Sequence, residues 1–301
     1  MDDSSSLINA ISGVLVVDKP IGMTSHDVVQ IIRRGTNIRR AGHTGTLDPR
    51  ASGVLVVLLG PAVRLSEYVS ASDKRYQAIV RLGTTTDTYD GDGAVTSSAP
   101  VNISEPQFES ALKRFIGEIE QVPPPYSAVK VKGRKAYEMA REGEEVDLAP
   151  RTIKVYNLEL LEWAPPEAVI DVYCSSGTYV RSLANDLGAV LGCGAYLVGL
   201  RRTKSGRFTL RDAVPLRKLR EAFEAGNWYQ YLIPAAEALS DWPGVELDTD
   251  QTEAIRHGHR IPAEPGSAGI ARGINQQGEL VALIEFDPAT QEWQPKKVFF
   301  Q

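Results

Sequence analysis

The sequence predicts an α+β fold, with a mixed sheet and its helices in a large domain followed by a small, mostly β module. Three observations lead there. Two apolar runs of strand length, GVLVVDKP at 13–20 and GVLVVLLG at 53–60, read as buried strands. Helical stretches with recognisable starts and stops fall between strands without regular βαβ alternation, which argues against a doubly wound parallel sheet. After about Trp242 the texture changes to short apolar segments separated by Gly, Pro, Asp and Gln turns.

Taken in order, the first strand ends at Pro20, and TSHDVVQIIRR then reads as a helix. Thr24 or Ser25 caps it, Asp27 suits its first turn, and Val28, Val29, Ile31 and Ile32 form its apolar stripe. GHTGTLDPRASG at 42–53 has neither helical nor strand period, so glycine and proline turns must shape it. A strand is expected over Arg75–Leu82. SEPQFESALKRFIG reads as a helix with Ser104 and Gln107 as a capping box, Pro106 in its first turn and Gly117 as its stop. The prolines of VPPPYSAVKV exclude a central strand, so this stretch is a rigid loop feeding a strand from Tyr126. RTIKVYNLELLEW and AVIDVYCSS are adjacent strands joined by a proline turn, and GTYVRSLANDLGAVLG is a helix. YLVGLRRTKSGRF is a hairpin-like pair around Lys204–Gly206. In the last part, GVEL, GIARGI, ELVALIEF and KKVFF are strands, with one helix near Thr249–Arg256.

Composition excludes several classes. The chain has 301 residues, 43% hydrophobic and 24% charged, an ordinary globular mixture. Its two cysteines, Cys174 and Cys193, form no CxxC pair and join no His/Cys cluster, so a reduced, metal-free protein is expected. MDDSSSLINA lacks a basic region and an apolar run, and no window reaches the roughly 20 apolar residues of a membrane span. A cytoplasmic protein is the expectation. The net charge of −5 gives no bulk reason for a nucleic-acid partner. Its distribution does. Three stretches carry basic residues and no acid: 28–47 with Arg33, Arg34, Arg39 and Arg40; 126–135 with Lys130, Lys132, Arg134 and Lys135; and 187–211 with Arg201, Arg202, Lys204, Arg207 and Arg211. Brought together they would make one positive face; separately they are solvated surface.

Familiar catalytic and nucleotide signatures are missing: no Walker loop, nucleophile elbow, HExxH or dinucleotide fingerprint occurs. TDTYDGDG at 86–93 has calcium-loop acids in Asp90 and Asp92, but Ala99 stands where the closing glutamate belongs, so it reads as a polar turn. His257 and His259 flank Gly258 at a helix end, where capping or surface roles suffice. Asp48 remains. It is either the acceptor of an Asx-turn beside Pro49 or an acid exposed for chemistry, and periodicity selects no partner for it.

Five ordered blocks resemble one family, the bacterial tRNA pseudouridine-55 synthases of the TruB type. They are GVLVVDKPIGMTSHDVV, RAGHTGTLDPRASGVL, KRYQAIVRLGTTTDTYDGDG, PPPYSAVKVKGRKAYE with REGEEV, and CSSGTYVRSLANDLG running into LGCGAYLVGLRR. The likeness implies a tail over 1–12, a catalytic domain over 13–241 and a PUA-type RNA-binding module over 242–301. The catalytic domain would have a mixed, largely antiparallel sheet of pseudouridine-synthase type, and the module would be β-barrel-like. Thr46 departs from the small apolar residue frequent in the family.

By the same resemblance, Asp48 is the nucleophilic carboxylate and Arg181, in SSGTYVRS, the arginine paired with it. Such a pair would hold the carboxylate ionised and aimed. Tyr76, in KRYQA, would stack on the uracil and assist removal of the carbon-5 proton. Tyr179 and Leu200 would wall the base pocket, and Arg202 would join them in binding substrate. A base inside a folded loop must be flipped out to be reached, and His43 would fill the space it leaves. Lys19 and Pro20 match the first family motif, with a supporting role for the catalytic loop. The implied partner is the T-arm of tRNA, bound by a monomer that uses no cofactor and no metal. Two other readings are an RNA-binding tRNA chaperone and a guide-RNA-dependent pseudouridylation subunit. The second is disfavoured by the lack of basic extensions flanking the two domains.

Overall fold

The computed structural model describes residues 11–127, 129–131, 133–144 and 146–299. Residues 1–10, Lys132 of the second basic stretch and Gln301 lie outside them.

Strand β1 (Gly13–Lys19) turns into helix α1 (Ser25–Thr36), and the short strand β2 (Ala41–His43) precedes the long strand β3 (Ala51–Leu59). A 3-10 turn at Gly60–Leu65 and helix α2 (Ser66–Ser70) lead to β4 (Lys74–Leu82). A ribbon of Thr84–Thr86 with Val95–Ser98, helix α3 (Glu105–Lys113) and strand β5 (Gly117–Gln121) follow. Helix α4 (Ala136–Arg141) then precedes the antiparallel pair β6 (Arg151–Ala164) and β7 (Glu167–Cys174). Helix α5 (Val180–Leu191), strand β8 (Ala195–Ser205) and helices α6 (Leu216–Glu224) and α7 (Ala235–Ala238) come next. The remainder is β9 (Gly244–Leu247), α8 (Thr249–Arg256), β10 (Ile261–Pro262), β11 (Ile270–Asn275), β12 (Leu280–Asp287) and β13 (Glu292–Val298).

The chain divides into two compact units. The first comprises residues up to Asp48, Leu55–Ser70 and residues from Arg211 onward. In it β1 neighbours β3, pairs in parallel with Val214–Pro215 and antiparallel with Ile233–Pro234, while β2 pairs antiparallel with β3. Every residue of β3 is buried, as a strand covered on both faces should be. Helix α1 begins with a capping box in which Thr24, one of the two candidate caps, takes the role: the Asp27 amide donates to Thr24 Oγ1 at 3.1 Å and the Thr24 amide to Asp27 Oδ2 at 2.9 Å. Phe223 of α6 lies against α1 where Gly35 has no side chain; a Cβ there would stand 2.2 Å from its ring.

The same unit holds a five-stranded sheet in the order β9-β11-β12-β13-β10. Leu247, Ile255, Ile261, Ala271, Val281, Ala282, Ile284 and Trp293 form its core. Arg272 ties it to preceding residues by donating to the carbonyls of Trp242 at 3.1 Å and Ala236 at 2.8 Å.

The second unit comprises Pro49–Val54 and Ala71–Leu210, with strands in the order β3-β8-β4-β7-β6-β5. Only β3 and β8 run parallel there; the other neighbours are antiparallel. The fold class is therefore α+β with mixed, largely antiparallel pairing, as expected.

Three local expectations need correction. Helix α3 ends at Lys113 instead of Gly117, which sits at φ +112 and opens β5. Among the described residues after the proline run, Tyr126 begins no strand and only Lys130–Val131 pairs, with Arg134–Lys135. The glycine stretch is not all turn, because Gly42 and His43 pair with Leu58 and Val57 of β3, and Ala51 already begins that strand. A buried neighbour strand supplies hydrogen bonds that override a sequence without strand period.

Candidate active site

In the first unit the candidate site is built from the turn after β1 and the segment before β3. The Lys19 side chain is fully buried, and its ammonium donates to the carbonyls of Pro20 at 2.9 Å and Met23 at 2.6 Å. A charged donor in the interior is tolerable only with such acceptors. The turn so held delivers Thr24 and Ser25 to the start of α1. Ser25 Oγ donates to the Leu47 carbonyl at 3.1 Å and accepts from the Leu47 amide at 2.8 Å. Asp48 follows directly and is half-buried. The Thr44 amide donates to the Val56 carbonyl at 3.1 Å, which continues the β2–β3 pairing past His43. Lys19 thus supports the start of the helix next to the Asp48 segment.

In the second unit, Tyr76 is 8% exposed, on the buried face of β4, whose outer residues Arg75 and Gln77 face solvent. Its cross-strand neighbours are Val172 of β7 and Arg202 of β8. Leu200, half-buried, pairs with Ala78 one step further along the same face. Ala51, three residues after Asp48, is the register partner of Leu200 on the other side. Arg202 is 2% exposed and its Nε donates to the Val54 carbonyl at 2.7 Å. It belongs to the interior, so the phosphate-contacting surface expected of the third basic stretch does not include it. The second stretch is also partly neutralised, because Arg134 forms ion pairs with Glu142 and Glu144. Arg34, Arg39 and Arg40 of the first stretch are exposed.

Arg181 stands in the first turn of α5. Its Nη1 pairs with Asp90 Oδ2 at 3.2 Å and donates to the Thr88 carbonyl at 3.3 Å, while Nη2 donates to the Tyr126 carbonyl at 3.1 Å. Asp90 is itself fixed, accepting from Thr88 Oγ1 at 2.6 Å and the Asp92 amide at 3.0 Å. The segment 86–93 is the polar turn expected, but it also holds an arginine in place. Among the described residues no group of three or more His, Cys, Asp or Glu is placed to hold a metal ion.

Tyr179 is the residue at the N-terminus of α5, a poor capping type that makes no side-chain cap. A distant amide does the work. Gln121, buried at the end of β5, accepts from the Tyr179 amide at 2.8 Å and donates to its carbonyl at 3.0 Å. Ser182 Oγ donates to the Val122 carbonyl at 2.8 Å, so the first turn of α5 is laced to residues 121–126. The sequence names Ser25 only as a candidate helix cap and Asp90 only as part of a polar turn, and it does not single out Gln121; the block resemblance spans Ser25 and Asp90 but shows no pairing.

The TruB family pseudouridylate synthase (N terminal domain) matches residues 33–180, the tRNA pseudouridylate synthase B C-terminal domain 181–240, and the tRNA pseudouridine synthase II C-terminal family 242–300. A relative from Thiobacillus denitrificans, named tRNA pseudouridine synthase B, is 44% identical over 276 residues, covering 92% of each chain. Relatives of that name from Pseudomonas aeruginosa and Escherichia coli are each 41% identical, again covering 92% of each chain. The chain belongs to the TruB pseudouridylate synthase family.

Solved structures agree on the fold. An H/ACA ribonucleoprotein bound to a substrate RNA containing 2′-deoxyuridine superposes with a TM-score of 0.75 at 28% identity, covering 99% of this chain and 87% of that one. A Cbf5-Nop10-Gar1 complex gives 0.74 at 30% identity, covering 96% and 85%. On β4, Tyr76 lies on the buried face with Lys74, Ala78, Val80 and Leu82, and Ala78 of that face pairs with Leu200.

Proposed function

We propose that this protein converts uridine to pseudouridine at position 55 in the T-loop of tRNA. The observation that carries the reading is the match over 92% of both chains to relatives named tRNA pseudouridine synthase B, within which Asp48, Tyr76 and Arg181 all fall. The reaction is an isomerisation. The bond from N1 to the ribose anomeric carbon breaks and one from C5 to that carbon forms; C5 loses a proton and N1 gains one. Nothing is oxidised or reduced, so side chains suffice and neither cofactor nor metal is required.

In this reading Asp48 is the nucleophile and Arg181 its charge partner. The Arg181–Asp90 contact supports a fixed guanidinium, because an arginine already desolvated and oriented loses little freedom when a second anion approaches. Tyr76 stacks on the flipped uracil and assists loss of the C5 proton, with Tyr179 and Leu200 as pocket walls. Extruding the base costs a few kcal/mol of stacking, and His43 occupies the vacated position. Arg34, Arg39 and Arg40, all exposed, are the phosphate contacts this reading favours in the first basic stretch. Residues 242–301 act as a PUA-type module on the T-arm. The enzyme works as a monomer in the cytoplasm.

Tritium release from a tRNA transcript labelled at uracil C5 tests this. The expected outcome is release by the wild type on bare tRNA, abolished by Asp48→Asn and by cytidine at position 55. Binding without release would favour the tRNA chaperone. Release only with added guide RNA and partner proteins would favour the ribonucleoprotein role named for the similar solved structures. Release undiminished in Asp48→Asn would remove the nucleophile assignment.

A further inference from the structure

We infer that Ser25 is a positioning residue for Asp48, the last link of a support that begins at the buried Lys19; this rests on the functional reading above. Asp48 needs a defined backbone to aim its carboxylate, yet the stretch around it is glycine-rich and half-exposed, with little apolar burial to fix it. The residue before it, Leu47, is 3% exposed and is held from both sides of its own peptide units. A hydroxyl does what a neighbouring strand does elsewhere: it accepts from the Leu47 amide at 2.8 Å and donates to the Leu47 carbonyl at 3.1 Å. Ser25 itself is 2% exposed, so neither bond competes with water.

Ser25 is in turn placed by its neighbours. Lys19 holds the carbonyls of Pro20 and Met23, so the turn between β1 and α1 has one shape. Thr24 and Asp27 cap each other's amides and fix where α1 begins. Ser25, as the first helical residue, therefore has its position set by two independent devices before it meets Leu47. The chain of contacts runs Lys19, the 20–23 turn, Thr24, Ser25, Leu47, and each step is a hydrogen bond or a peptide bond. Serine suits the last step because one small hydroxyl both donates and accepts; alanine would leave a buried amide and a buried carbonyl unsatisfied.

The test uses the full chain with Ser25→Ala and Ser25→Thr. Expected for Ser25→Ala is a kcat lowered about 10- to 100-fold, the order of loss that a displacement of up to about 1 Å in a reacting group produces, with KM for tRNA within about threefold. Ser25→Thr keeps the hydroxyl and should recover most of the rate. Amide hydrogen exchange without substrate gives a readout independent of catalysis: Ser25→Ala should speed exchange in the peptide containing Thr44–Asp48 and leave β3 and α1 protected. A folded Ser25→Ala protein with wild-type kcat overturns the inference, as does unchanged exchange across that peptide. If Ser25→Ala does not fold, Ser25→Thr decides alone, because loss of rate despite a retained hydroxyl also counts against the role. Should the wild type release no tritium, the functional reading fails, and the exchange result still judges whether Ser25 holds the segment.

Discussion

Arg181 Nη1 lies 3.2 Å from Asp90 Oδ2, with the two side chains only 8% and 13% exposed. Removing one member of such a pair strands the other charge away from water, which is costlier than the pair's net contribution. Asp90→Ala should therefore destabilise the fold by about 3 kcal/mol, read from urea midpoints. Asp90→Asn keeps an acceptor for Arg181 and should lose less. Both should lower tritium release more than the change in folded fraction explains. Equal stability of wild type and Asp90→Ala would mean that the other contacts of Arg181, the Thr88 and Tyr126 carbonyls among them, suffice to hold it.

How much of this was legible in the sequence divides along a physical line. Strands β1 and β3, and helix α1 with its start, are legible because local signals and burial agree: every residue of GVLVVLL is buried, and Thr24, one of the two candidate caps, takes the role. Asp48, Tyr76 and Arg181 were named through the ordered blocks and not through any period. What sequence could not show were contacts across long separations: Gln121 on Tyr179, Asp90 on Arg181, Ser25 on Leu47. Each involves a polar residue with an ordinary local role available. The same blindness placed Arg202 among surface cations when it is interior. It also extended α3 to Gly117, whose positive φ serves the start of β5 instead.

The Gln121 amide matches the Tyr179 peptide groups as a strand partner would, at 2.8 and 3.0 Å. Gln121→Leu preserves approximate volume but removes the partner of the Tyr179 amide, while the Tyr179 carbonyl keeps the Leu183 amide at 3.1 Å. A buried orphan costs roughly 1–3 kcal/mol, so the variant should lose about that much by chemical denaturation. Because Tyr179 starts α5, exchange should quicken over its first turn. Protection unchanged at Tyr179–Leu183 would show that helix packing alone sets the helix start.

Gly53 faces Arg202 across β3 and β8 at φ +98, and a Cβ there would stand 2.2 Å from the Arg202 carbonyl oxygen. Both the backbone conformation and the contact oppose any side chain. Gly53→Ala must push the strands apart, and a cost of about 3 kcal/mol or more is expected from strain and overpacking together. Gly42→Ala is the control, since open space surrounds that position. Comparable melting temperatures for the two variants would refute the strand-crowding explanation.

Lys74 and Cys174 give opposite pH dependences. Burial, reinforced by the Arg202 charge, lowers the Lys74 pKa from 10.5 to about 8, while burial raises the Cys174 thiol from 9.0 to about 11. Below about pH 8 Lys74 is charged in both states, and the full cost of burying that cation is present. As pH rises from about 8 towards 10.5 the unfolded chain keeps a proton that the folded one has released, so stability increases. From 9.0 to about 11 the folded thiol keeps a proton that the unfolded one has lost, so Cys174 makes stability fall. Their sum is a rise between about 8 and 9 that flattens above it. Urea midpoints measured across this range should lose the rise in Lys74→Met. In Cys174→Ala the rise should continue to about 10.5, the ordinary lysine value. A Lys74→Met profile parallel to the wild type would show that the cation is not desolvated in the folded state, and that Arg202 has no like-charged neighbour to contend with.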